Sequence, residues 1–158
     1  MIINEELLDE LKLYIDDHFY PIVCEVYSEY KVSDIPSDLD DYMQNNLKPS
    51  FNKVLFDYID RKEVSDSDIY KKAGIDRRHF SKIRSKSDYR VSKSTAICLA
   101  LALELDIDDA KYLLSSAGYS LSYNDKFELI IQFCFEKRIY DIFYINEILD
   151  YFSLKPLI

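Results

Sequence analysis

From Glu5 to Phe19 the apolar residues Leu7, Leu8, Leu11, Tyr14, Ile15 and Phe19 recur at three- and four-residue steps, the stripe of an amphipathic helix. Residues 20–46 hold two prolines, many acids and no sustained period, which reads as a linker with at most a short turn of helix near Leu39 to Met43. The stripe returns at Phe51, Val54, Leu55, Tyr58 and Ile59, with Ser50 placed to cap it. Ser65 can cap a short helix that holds Ile69 and ends at Ala73 and Gly74. Asp76 can cap the next, with Phe80 and Ile83 on its inner face. Two short helices joined by a tight glycine turn are therefore expected. Ser92 can cap a strongly apolar helix through Ile97, Leu99, Leu101 and Leu103, and Asp106 can cap another that stops at Gly118. Downstream, Phe127, Ile130, Ile131, Cys134 and Phe135 form one stripe, and Ile142, Ile145, Ile148, Leu149 and Phe152 another. The apolar tail, Leu154 to Ile158, should dock.

Composition sharpens this all-α reading. Only two glycines occur in 158 residues, so the positive-φ turns on which all-β folds and glycine-rich nucleotide loops depend are nearly excluded. No stretch approaches the roughly 18 unbroken apolar residues that span a membrane. Cys24, Cys98 and Cys134 are odd in number and far apart, and the last two lie in apolar runs, so reduced core residues are expected. The N-terminus has no basic region followed by an apolar one, and a cytoplasmic location is expected. Residues 1–46 read as an acidic N-terminal helix and linker, 47–119 as the central domain, and 120–158 as a C-terminal helical extension packed on it.

A net charge of −9 spread evenly would repel a polyanion, but it is not even. Residues 71–93 carry 9 Lys/Arg against 2 Asp/Glu, whereas residues 1–70 carry 6 against 17 and residues 94–158 carry 5 against 10. The cationic run coincides with the spacing of a helix-turn-helix. Ile69, Ala73, Ile75, Phe80 and Ile83 face one core, Gly74 turns the chain, and Asp76 starts the second helix. With Phe80 and Ile83 inward, Arg77, Arg78, Ser81, Lys82 and Arg84 point outward from a helix whose first turn itself attracts phosphate. Arg can pair with guanine edges, and Lys and Ser can meet bases or phosphates. Lys86, Arg90 and Lys93 beyond the helix can follow a backbone, with Tyr89 placed to stack.

Over residues of about 48–118 the chain resembles the lambda-repressor/Cro-like (Xre-type) five-helix domain. Ile69, Ala73-Gly74-Ile75 and Phe80-Ser81-Lys82-Ile83 match its second helix, turn and recognition helix. Ile97, Ala100-Leu101 and Leu103, with Leu105-Asp106-Ile107, resemble its fourth helix and the lead into its fifth. Residues 75–84, 92–96 and 140–147 are also similar to a poorly characterised bacterial helix-turn-helix family, some copies of which are fused to ADP-ribose-binding macro domains. Two positions depart from the Xre pattern. Asp66 stands where many such domains anchor a phosphate with Gln, and Tyr70 stands where a small residue usually packs on the recognition helix.

No nucleophile, matched acid and base or metal-ligand spacing is evident, so neither an enzyme nor a cofactor is expected. His18 and His79 read as packing or surface residues, and Asp16-Asp17 and Asp40-Asp41 as solvated surface. Two readings remain. The favoured one is a sequence-specific transcriptional regulator, a dimer whose basic helix enters the major groove of double-stranded DNA. The other is an adaptor in a stress or phage-response system. It keeps the helix-turn-helix as scaffold and engages a protein through its acidic N-terminal arm, or binds RNA through the basic helix.

Overall fold

A computed structural model describes residues 35–158, and among the described residues every regular element is an α-helix. None is long and apolar enough to cross a membrane. The chain divides into two compact units, Met1–Leu47 and Lys48–Ile158. The helix expected over Glu5 to Phe19, together with His18 and Cys24, lies outside the described residues.

Within the first unit, α1 spans Ile35–Asn46, where the sequence reads mostly as linker. Ile35, Leu39, Tyr42 and Met43 do fall at helical spacing, but the stripe is short and its neighbours are acids and a proline. Pro36 is harmless in the first turn, where its missing N–H has no intrahelical partner to lose, and Asp38 sits near the positive end of the helix.

The second unit holds α2 (Phe51–Arg61), α3 (Asp66–Lys72), α4 (Arg77–Ser85), α5 (Lys93–Ala102), α6 (Ile107–Ser116), α7 (Lys126–Glu136) and α8 (Ile142–Tyr151). The five expected caps, Ser50, Ser65, Asp76, Ser92 and Asp106, each accept a hydrogen bond from a backbone N–H of the first turn. Asp125 and Asp141 cap α7 and α8 in the same way. Six of these helices end alike. The residue after the C-cap has positive φ, and the next residue donates its N–H back five positions: Val64 to Ile59, Ile75 to Tyr70, Leu105 to Ala100, Tyr119 to Leu114, Ile139 to Cys134 and Leu154 to Leu149. Two of the positive-φ positions are the expected Gly74 and Gly118, and the other four are Glu63, Glu104, Arg138 and Ser153.

A single core runs through this unit. In α5 every residue from Ala96 to Ala102 is buried, and the helix packs against α3 and α6. α6 in turn meets α2 and α7, and α7 meets α8, so the last two helices join the same core through α6. Ile69, Ala73, Ile75, Phe80 and Ile83 are buried as their spacing predicts, and so is the stripe of α2. The tail docks: Leu157 is buried and donates its N–H to Asn146 Oδ1 at 2.8 Å. Ile158 reaches Gly74, where its side chain occupies the space a Cβ would need. Cys98 and Cys134 are reduced and buried, and burial raises their thiols to about 12 and about 11.

Candidate functional site

The outward face of α4 depends on how its inner face is anchored. Asp76 Oδ1 accepts from the Arg78 N–H at 2.7 Å and starts the helix. Four residues on, Phe80 inserts between two aromatic rings. The Phe56 ring meets it edge-on with centroids 5.8 Å apart, and the Tyr70 ring lies tilted against it at 5.8 Å. Tyr70, a bulky residue on α3, is thus accommodated against a large partner. With Phe80 and Ile83 buried, a helical period leaves Arg77, Arg78, Ser81 and Lys82 exposed on one side.

The nine residues singled out from the sequence divide into two groups. Arg77, Arg78, Ser81 and Lys82 on α4, with Lys86 and Arg90 on the loop beyond it, are exposed, and none of the five cations among them pairs with a described carboxylate. The other three are engaged within the protein. Arg84 makes two parallel hydrogen bonds to Asp66, Nε to Oδ2 and Nη2 to Oδ1, both at 2.6 Å. Its guanidinium lies 4.1 Å from the centre of the Phe56 ring. Lys93, partly buried at the start of α5, pairs with Glu128 of α7, which also accepts the N–H of Ser122. Tyr89 is partly buried, packs against the core and meets the His79 ring at 5.8 Å. The negative charge of Asp66 therefore carries its own counter-ion, and the acidic start of α3 is less repulsive than its sequence implies.

Two residues without any sequence signal also shape the site. Asn52 of α2 donates its Nδ2 to the carbonyls of Ile83 and Arg84, the latter at 3.3 Å, and Phe56 one turn later supports both Phe80 and Arg84. Their partners lie more than 20 residues away along the chain, so no local period could reveal them. Lys71, also exposed and without an ion pair among the described residues, extends the positive surface onto the end of α3.

An open cleft of about 300 Å³ lies between α3 and α4, with Tyr70 and Phe80 at its base and Arg77, Ser81 and the Arg84–Asp66 pair among its walls. Arg90 and Ser87 border a second cleft of about 580 Å³, with Ser50, Ser116 and Gly118 around it. Charge, hydroxyl groups and an open groove are what this surface offers, and their chemistry suits recognition of an anionic polymer. Comparison of the chain with protein-family models, with curated proteins and with solved structures finds no match.

Proposed function

We propose that the chain is a DNA-binding transcriptional regulator in which α2 to α6 form a lambda-repressor-like five-helix domain. In this reading α3, Gly74 and α4 are its helix-turn-helix, and α7 and α8 are an added buttress. A dimer would set α4 of each protomer in successive major grooves. Arg77, Arg78 and Lys82 would reach base edges and phosphates, and Lys86 and Arg90 would follow the backbone. The observation that carries the reading is the set of five exposed cations on α4 and its following loop, none of them paired to a described carboxylate in a protein of net charge −9.

The test is fluorescence anisotropy with a short duplex recovered by selection from a random-sequence library. Replacing Arg77, Arg78 and Lys82 together by Ala should weaken binding by at least about 100-fold, while stability stays within about 0.5 kcal/mol of the parent. In the parent, log K should fall with log salt with a slope of about −0.9 per phosphate neutralised. Retained affinity in the triple variant would overturn the reading.

The adaptor reading draws support from a different place. Phe143 and Tyr151 on α8 are 81% and 84% exposed, large apolar surfaces suited to a protein partner. It predicts no duplex recovered in the selection and a stable complex that survives the triple substitution.

A further inference from the structure

The end of α4 is built unlike its neighbours. Among the described residues of the second unit, six helices close with a positive-φ residue that returns an N–H to the last turn, but α4 does not. Its C-cap, Lys86, is extended and donates only to Lys82 O, so the carbonyls of Ile83 and Arg84 are left for another donor. Asn52 of α2 supplies it. At the same turn the Arg84 side chain folds back across the Phe56 ring of α2 to the Asp66 carboxylate at the start of α3.

We propose that Asn52, Phe56, Asp66 and Arg84 form a pin that sets the angle at which α4 is presented, so that Arg84 is a positioning residue and not a contact to nucleic acid. Three helices meet at this pin. A planar guanidinium can bond a carboxylate twice and lie flat on a ring at once, which fixes direction as well as distance, and an ammonium can do neither. Orientation matters because side chains reaching base edges tolerate little error in the axis that carries them. The functional consequence rests on the DNA-binding reading; the mechanical one does not.

The experiment uses the full chain and two readouts. In amide hydrogen exchange, Arg84→Ala and Asp66→Asn should each speed exchange across α4 by about three- to tenfold, leaving α6 and α7 unchanged. The double variant should exchange no faster than Arg84→Ala alone, because that substitution already removes the ion pair along with the contact to Phe56. Asp66→Glu should restore most of the protection, whereas Arg84→Lys should not. In the binding assay with the selected duplex, Arg84→Ala should lose affinity by a similar factor with an unchanged salt slope. A slope reduced by about 0.9 would show that Arg84 meets a phosphate and would overturn the proposal. Unchanged exchange in α4, or equal acceleration in every helix, would overturn it as well. If no duplex is recovered for the parent protein, the DNA reading fails while the exchange data still decide the pin.

Discussion

Phe80 is the side chain on which the exposure of its neighbours depends. Its ring is held by Phe56 and Tyr70, and this anchoring turns Arg77, Arg78, Ser81 and Lys82 to solvent. The same logic of fixed environments governs the buried thiols. Cys98 is pushed by burial from the ordinary 9.0 up to about 12, and Tyr58 from 10.0 up to about 12, by burial first and then by its 2.9 Å hydrogen bond to Asp109. Both groups hold their protons more tightly when folded than when unfolded. The stability this contributes is complete below pH 9 and is lost as pH rises from 9 towards 12. The thermal midpoint should therefore decline across that window, and Cys98→Ala should flatten the decline, as measured by calorimetry at stepped pH. The outward arginines were readable from the sequence, because a helical period with two fixed inward residues leaves no other place for them. That Arg84 turns to Asp66 was not readable, since the pairing joins two helices across 18 residues.

At the scale of the element, starts were more legible than stops. Ser and Asp side chains announce an N-cap because they satisfy a backbone N–H directly, and all five expected caps do so. Stops were found only where glycine marks them. Glu63, Glu104, Arg138 and Ser153 take the same left-handed conformation against their intrinsic preference, and each precedes a residue that returns its N–H to the helix end. The usable sign was the apolar residue that follows at three of the four, Leu105, Ile139 and Leu154, whose side chains turn back onto the core, whereas Val64 stays exposed. Arg138 makes no ion pair among the described residues, so Arg138→Gly should raise stability by about 0.5–1 kcal/mol in urea unfolding. A loss would mean that its side chain contributes more than its backbone costs. α1 hid for a related reason: Pro36 would break a helix in its middle but not in its first turn.

At the scale of the whole molecule, Lys48–Ile158 should unfold as one cooperative body. The C-terminal helices have no separate core: α7 packs on α6, and Glu128 of α7 holds Lys93 of α5. The tail completes the arrangement by laying Leu157 into the core and Ile158 against the Gly74 turn. Leu157→Ala should accordingly cost about 2–3 kcal/mol and speed amide exchange in α3 and α4, with a single transition retained in calorimetry. Amide exchange that lets α7 and α8 open separately from α2 to α6 would contradict a shared core within Lys48–Ile158. The spacing of apolar residues, the caps and the near absence of glycine determined by themselves that the described residues are helical, where five of their eight helices begin, and which face of α4 carries charge, because these follow from a period and from local hydrogen bonding. Which cations remain unpaired among the described residues and what fixes the end of α4 were decided only by the tertiary structure. Carboxylates, aromatic rings and a side-chain amide distant along the chain reach those positions only once the helices have packed.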